Sequence, residues 1–176
     1  MDTYPLIQPP LPEEYAPYYD EYISKVPSHD LIGYFLSQID NVSTIAIDLD
    51  EEQLLYRYAP DKWSIKDIFC HIIDTERVFA YRALCFARGD MTELPGFEQD
   101  DYVKNANADV RHTAGILEEY AAVRQATIEL FKGFTEDDIL RTGIANKNKM
   151  SVRAAGYNIA GHELHHLAVI KEKYLG

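Results

Sequence analysis

Residues 160–169 read Ala-Gly-His-Glu-Leu-His-His-Leu-Ala-Val and place three histidines within five positions. His162 and His166 are four residues apart, so on an α-helix their side chains lie on one face and can hold a single metal ion. The same row continues through Ile159 and Val169, which predicts that the pair lies on the apolar, core-facing side of the helix. Two adjacent buried imidazoles need partners for their ring nitrogens, and a metal ion supplies one.

Two other interpretations of this histidine cluster are open at this point. The pair could be partly exposed and hydrogen-bonded to carboxylates across a bundle. The stretch also fits the H-E-x-x-H pattern of zinc peptidases, in which the glutamate is the general base. Those peptidases take a third ligand further along the chain, whereas the ten residues after His166 contain no histidine and one carboxylate, Glu172. A third ligand is therefore expected upstream.

Outward from this stretch, helical periodicity predicts a bundle. The period recurs over four segments of roughly 20 residues, namely 28–47, 64–88, 109–132 and 151–174. Ser64 and Asp67 resemble a capping box, and Ser151 and Thr135 are typical residues at helix starts. We expect residues 89–108 to form a long connection and residues 143–149 to form a polar loop. No convincing strand period is found, so the predicted fold class is all-α, a four-helix bundle with a long crossover connection.

The chain divides into two regions by composition. Residues 1–27 are rich in proline and tyrosine and are expected to form an N-terminal arm with one or two helical turns within residues 15–26, while residues 28–176 form the bundle. The tyrosines of the arm have two open roles, at the mouth of a pocket or at a dimer contact.

Histidine spacing points to a third ligand on the second helix. His71 lies about 10 Å from the start of that helix, and His162 and His166 lie about 12 to 18 Å from the end of theirs, at 1.5 Å per residue. Antiparallel packing of the two helices would therefore place the three imidazoles at about the same height along the helix axes. Three histidines leave a position open for water or substrate, which is typical of a catalytic zinc-type site, although nickel or iron also accepts imidazole ligands.

Charge and composition exclude several classes of protein. The 176 residues carry a formal net charge of −12, which disfavours nucleic acid as a partner. No apolar run approaches the roughly 18 residues of a membrane span. The N-terminus shows no secretory signal pattern, and Cys70 and Cys85 are about 22 Å apart on one predicted helix, so reduced thiols and a cytoplasmic location are expected.

The remaining polar and aromatic residues near the histidines are given structural roles or left open. Asp74 either accepts a ring N–H from a ligand histidine or lies solvated near Arg77. We expect structural or interface roles for Glu163 and His165, and a packed thiol for Cys70. Trp63 and the region around Phe97 are expected to close the ends of the bundle rather than to bind a cofactor.

Three motifs in order resemble those of the DinB/YfiT-like superfamily of metal-binding four-helix bundles. They are APDKWSIKDIFCHIIDTE at 59–76, LPGFEQD at 94–100 and AGHELHH at 160–166. Each motif is weak alone, but their order and spacing make a specific set, and the resemblance extends over nearly the whole chain, from about Tyr15 to Tyr174.

The resemblance implies a divalent metal, zinc or nickel, held by His71, His162 and His166. Members of this superfamily with an assigned activity resemble thiol-dependent enzymes, which transfer low-molecular-weight thiols such as bacillithiol or use mycothiol in a maleylpyruvate isomerase. The resemblance is also compatible with a small-molecule substrate, a thiol cofactor and a homodimer.

The sequence therefore supports a first hypothesis of a metal-dependent enzyme of small-molecule chemistry, most simply a thiol S-transferase, with a hydrolase also open. In both cases an open metal site makes a thiol or a water available as a nucleophile. The alternative is a bundle that binds a metal or a partner without catalysis. No catalytic residue and no cofactor-binding residue beyond the three histidines can be assigned from the sequence.

Overall fold

A computed structural model describes residues 4–176 and shows a mostly helical chain with one short hairpin. In chain order the elements are α1 (Asp20–Ile23), α2 (Leu31–Gln38), α3 (Asn41–Ala46), α4 (Glu51–Leu55), α5 (Ile65–Ala87), α6 (Gln99–Asn105), α7 (Thr113–Lys132), α8 (Glu136–Leu140), β1 (Thr142–Ala145), β2 (Asn148–Ser151) and α9 (Val152–Lys173). Helices α5, α7 and α9 and the pair α2–α3 are the four segments of the bundle, as the sequence predicts.

The starts of the two site-bearing helices confirm the predicted caps. The Ser64 hydroxyl accepts a hydrogen bond from the backbone N–H of Asp67, whose side chain accepts one from the backbone N–H of Ser64. The Ser151 hydroxyl accepts from the backbone N–H of Ala154 at the start of α9. At the other end of α5, Gly89 adopts a φ of 74°, a conformation that favours glycine and ends the helix.

The first predicted helix is not continuous, so the expectation of one helix over 28–47 is wrong. Helix α2 ends at Gln38 and α3 begins at Asn41, with Asp40 between them at a φ of −100° and a ψ of 2°. The Thr44 hydroxyl donates to the Asp40 carbonyl, and the Ser37 hydroxyl donates to the Tyr34 carbonyl. Short polar side chains in this region bond to nearby backbone, which competes with a regular helix.

The expected polar loop at 143–149 is also wrong, because this segment forms an antiparallel hairpin. Strands β1 and β2 pair with Thr142 opposite Ser151 and Ala145 opposite Asn148. The two-residue turn places Asn146 and Lys147 at φ values of 51° and 63°, as a type I′ turn requires. The long connection 89–108 lies against this hairpin through Leu94, whose N–H donates to Ile144, and it contains the unpredicted helix α6.

Helices α5 and α9 run antiparallel and form the centre of the bundle. The start of α5 meets the end of α9, where the Tyr174 hydroxyl donates to the Trp63 carbonyl at 2.6 Å. Apolar side chains pack near both ends of this helix pair, in one cluster around Phe79 and Ala155 and another around Ile68 and Leu167. A layer of buried polar side chains lies between the two clusters and includes the predicted site.

The described part of the N-terminal arm packs on the bundle. Ile7, Tyr15, Tyr19 and Ile23 are buried, and α1 lies along α9. The short helical stretches at 17–19 and 20–23 agree with the helical turns expected within residues 15–26, and another short stretch, at 12–14, is not predicted. Residues 1–3 of the predicted arm lie outside the described residues. Among the helices of residues 4–176, none has the length and apolar character needed to cross a membrane.

Candidate metal centre

The three predicted histidines meet at one point between α5 and α9. Nε2 of His71 lies 3.0 Å from Nε2 of His162, which in turn lies 3.1 Å from Nε2 of His166. One ligand atom from each residue lies within 4.8 Å of the others. Antiparallel packing thus brings together residues that are 91 positions apart in the chain, which confirms the predicted level of the three rings.

Burial keeps these imidazoles in the neutral form that binds metals. His71 and His162 are 1% and 6% exposed. Burial lowers the pKa of His71 to about 4. Burial, together with the neighbouring His71 and His165, lowers the pKa of His166 to about 3, and the pKa of His162 is also lowered well below its ordinary value. Neutral rings carry a free lone pair, so no proton must be displaced at pH 7 before a cation binds.

The arrangement of the nitrogens fits a divalent metal. Bonds of about 2.0 to 2.1 Å in a tetrahedral site place ligand nitrogens roughly 3.3 Å apart, and the observed separations of 3.0 and 3.1 Å are close to this value. The alternative of exposed histidines bonded to carboxylates is wrong for His162 and His166, because among the described residues their Nε2 atoms face other imidazoles. Nδ1 of His71 is buried and has no hydrogen-bond partner in residues 4–176.

Aromatic side chains enclose the three rings. The centre of the Trp63 indole lies 4.7 Å from that of the His71 ring and 6.1 Å from that of His166, and it stacks on the latter at 25°. The Tyr22 ring, from α1, lies 5.4 Å from that of His162. Trp63 thus lies where the start of α5 meets the end of α9, at the expected bundle end, and its ring also contacts two of the three histidines. Of the two roles left open for the arm tyrosines, Tyr22 takes the one beside the pocket.

A cavity opens on each side of the histidine cluster. The cavity beside His162, here called the arm cavity, measures about 320 Å³. It is lined by Tyr18, Tyr19, Tyr22, Thr75, Phe79, Arg82, Gly96, Phe97, Glu98, Gln99, Asn146, Asn158 and His162. A second cavity of about 330 Å³ lies beside His166 and includes Trp63, Asp100 and His165 in its walls. Phe97 lines the arm cavity, next to His162.

Glu163 points away from the three rings and belongs to a buried ionic network. Arg124 of α7 donates through Nη2 to Glu163 at 2.6 Å and to Glu76 at 2.8 Å, and Tyr120 donates to Glu163 at 2.7 Å. Burial raises the pKa of Glu163, and the Arg124 charge opposes that rise. Glu163 therefore has the structural role that the sequence suggested, and its position does not fit a general base for the site.

Asp74 and Cys70 lie outside the cluster as well. The Asp74 carboxylate lies 3.8 Å from the Arg77 guanidinium and bonds to none of the three rings, which favours the solvated of its two predicted roles. Cys70 is a buried free thiol, and burial is the main cause that raises its pKa to about 11. His165 is half-buried beside Tyr22 and lies 3.6 Å from the Glu21 carboxylate.

The family follows from a comparison with known protein families. The model of the DinB superfamily matches residues 35–170, which is most of the chain. The chain belongs to the DinB superfamily. This membership confirms the resemblance expected from the three motifs, and the matched span contains His71, His162 and His166. No curated protein matches this DinB-superfamily chain.

Among solved structures, the fold is similar to YfiT from Bacillus subtilis, which is described as a probable metal-dependent hydrolase with an unusual four-helix bundle topology. The match has a TM-score of 0.70 and 15% sequence identity, and it covers 96% of this chain and 93% of that chain. At this identity the likeness is one of fold. It confirms the predicted four-helix architecture for this member of the DinB superfamily.

Proposed function

We propose that this DinB-superfamily chain is a divalent-metal-dependent enzyme acting on small molecules, with His71, His162 and His166 as the ligands and thiol S-transfer as its chemistry. The observation that carries the proposal is the convergence of three neutral Nε2 atoms between two cavities. Zinc or nickel suits this donor set. A bound ion of this kind lowers the pKa of a thiol or a water and so supplies a nucleophile at neutral pH.

The surrounding residues suit a small substrate that is shielded from water. Trp63 packs on His71 and His166, and Tyr22 packs on His162, while a cavity lies beside His162 and another beside His166. Among the described residues no cysteine lines either cavity, since Cys70 and Cys85 lie elsewhere in the core. A thiol brought in as cofactor needs no strong protein base, and this favours S-transfer to an electrophile.

Hydrolysis is the second candidate, and one observation favours it. His165 and Asp100 line the cavity beside His166, where they can hold or move a proton near a water. The description of YfiT as a probable metal-dependent hydrolase agrees with this candidate. A bundle that binds metal without catalysis is the remaining alternative.

The metal proposal is tested by elemental analysis of protein purified without a histidine tag. We expect about one zinc or nickel per chain, and loss of that metal in His71→Ala and His162→Ala. His112→Ala is the matched control, because His112 is exposed at the start of α7 and should leave the metal content unchanged. Folded protein that takes up no zinc or nickel would overturn the proposal.

The chemistry is tested on the metal-loaded protein with two reactions. One measures conjugation of a small thiol to 1-chloro-2,4-dinitrobenzene, and the other measures hydrolysis of p-nitrophenyl acetate. Conjugation that is lost with the metal supports the S-transferase, and hydrolysis alone supports the second candidate. A stoichiometric metal with neither activity, over a wider panel of thiols, electrophiles and esters, would favour the non-catalytic bundle.

A further inference from the structure

The arm cavity contains a buried positive charge that no described carboxylate neutralises. Arg82 is 3% exposed, its Nη2 donates to the Pro95 carbonyl at 3.1 Å, and its guanidinium lies 4.7 Å from the centre of the Phe79 ring. Within residues 4–176, no aspartate or glutamate oxygen lies within 4.0 Å of it. The other deeply buried arginine, Arg124, is paired with two carboxylates. Burying an arginine without an anionic partner is costly.

Two further polar groups in this cavity lack a partner. Thr75 Oγ1 and Asn158 Oδ1 are buried, and neither has a hydrogen-bond partner among the described residues. Thr75 lies one helical turn after His71 on α5, and Asn158 lies one turn before His162 on α9. The helix faces that carry His71 and His162 thus extend into the cavity, where Thr75 and Asn158 provide hydrogen-bonding groups. Buried polar groups normally have hydrogen-bond partners, so these two groups are available to bond to a molecule held in the cavity.

The rest of the cavity is aromatic and small. Rings of Tyr19, Tyr22, Phe79 and Phe97 form much of its wall, and its volume of about 320 Å³ suits a small molecule. Glu98, at the exposed edge, is the acidic residue among the lining side chains. Because helical side chains tilt toward the helix N-terminus, the Arg82 side chain extends back toward the histidine cluster.

We propose that the arm cavity binds a small aromatic carboxylate, whose anionic group pairs with Arg82. The Thr75 hydroxyl and the Asn158 side chain bond to polar substituents of this molecule, and the aromatic rings contact its apolar part. The other end of the molecule faces His162. This inference rests on the proposed function, because it names the substrate class of that same site, and it makes Arg82 a specificity-determining residue.

The test measures binding of benzoate and of its neutral analogue benzamide by calorimetry. Both zinc-loaded protein and protein treated with EDTA are titrated. A charged hydrogen-bonded pair in a buried site contributes enough that we expect benzoate to bind about tenfold more tightly than benzamide in both forms. Equal binding of the two probes would overturn the proposal.

Variants then assign the selectivity to Arg82. We expect Arg82→Gln to weaken benzoate binding about tenfold or more. Arg88→Gln is the matched control, since Arg88 is exposed at the end of the same helix and should leave binding unchanged. Should Arg82→Gln fail to fold by circular dichroism, Thr75→Val decides the matter, because it removes only an unpaired hydroxyl. Because benzoate has no polar substituent that could bond to Thr75, this variant is titrated with 3-hydroxybenzoate. A several-fold loss of 3-hydroxybenzoate binding in Thr75→Val supports the proposal, and unchanged binding overturns it.

The histidine variants separate this inference from the proposed function. Benzoate that binds at the metal would be lost in His71→Ala and retained in Arg82→Gln, and this result would overturn the inference while the metal site stands. Conversely, a chain that takes up no zinc but still selects benzoate through Arg82 would refute the metal-dependent enzyme and leave the anion site in place.

Discussion

The main-chain carbonyl of Tyr22 lies in the space that a side chain on Gly161 would need. This close approach lets the N-terminal arm lie against α9 one residue before His162, with the Tyr22 ring over the imidazole. We expect Gly161→Ala to push the arm away and to lower the free energy of unfolding by about 1 to 3 kcal/mol, as overpacking does. Urea denaturation followed by circular dichroism measures this change.

Gly115 provides the matched control for the loss of a helical glycine. A Cβ at Gly115, in α7, meets nothing within 4 Å. Gly115→Ala should therefore raise the free energy of unfolding by roughly 0.5 to 1 kcal/mol, because alanine is the better helix former. If both glycine variants were equally stable, the contact between the arm and α9 would not contribute to stability.

The Arg124 network predicts a large effect from one substitution in α7. Glu76, Arg124 and Glu163 join α5, α7 and α9, and all three side chains are at most 3% exposed. Arg124→Met leaves two carboxylates buried without a cation, so we expect the free energy of unfolding to fall by about 3 to 5 kcal/mol. The same urea experiment tests it.

The surface ion pair of Lys132 and Glu129 is the control for this prediction. It joins two partly exposed side chains three residues apart. Lys132→Met should change the free energy of unfolding by less than about 1 kcal/mol. An Arg124→Met protein as stable as Lys132→Met would show that the carboxylates find other partners or become protonated at little cost.

Much of the fold and the three histidines could be predicted because both follow from helical periodicity. His162 and His166 lie on the face of their helix that runs from Ile159 to Val169, and His71 lies near the start of its helix. These positions place the three imidazoles at the same height along the two antiparallel helices. Helix starts were predictable for a related reason, since a cap at Ser64 or Ser151 depends on neighbouring residues only. These signals are local or repeat regularly along the chain.

The rest depends on contacts between distant segments, which a single sequence does not show. The hairpin uses Asn146 and Lys147 at its turn rather than an Asn-Gly pair, so its usual signal is weak. Trp63 reaches the histidines, and Glu163 reaches Arg124, only after α5, α7 and α9 have packed. Whether a side chain on the inner face of a helix contacts a ligand, a charged partner or the apolar core depends on how the helices pack.

The arm cavity had a partial signal that the sequence analysis did not use. Thr75 and Arg82 lie on the same helical row as His71, although a threonine and an arginine are unusual on a core-facing row. Asn158 lies on the row of His162 in the same way. Polar residues that lie on the same helical face as candidate metal ligands can therefore be searched for in a sequence, whereas the lack of a hydrogen-bond partner for each appears only in the structure.

Glu14 of the arm predicts how stability depends on pH. Burial alone would raise its pKa, but hydrogen bonds from Arg153 and Ser151 outweigh burial and hold the pKa below the ordinary value of 4.5. A group with a lowered pKa in the folded state stabilises the fold above its unfolded pKa, and that contribution is lost as the pH falls through the folded pKa. The stability difference between wild type and Glu14→Gln should therefore be full at pH 6 and should shrink below about pH 4.

Unfolding in urea at a series of pH values tests this dependence. Glu13→Gln is the control, since Glu13 is exposed beside Glu14 and should follow the wild type at each pH. A constant difference between wild type and Glu14→Gln from pH 6 to pH 3 would show that the ionised Glu14 does not hold the arm to α9.

Trp63 is the single tryptophan of the chain and lies against two of the three histidines, so it should report metal binding directly. We expect added nickel to quench its emission in proportion to the fraction of protein loaded, because the ion would bind next to the indole. The quenching should saturate at about one ion per chain. His71→Ala should abolish it, and His112→Ala should retain it, since His112 lies on the exposed start of α7. Quenching that persists in His71→Ala and in His166→Ala would place the ion elsewhere and refute the three-histidine centre.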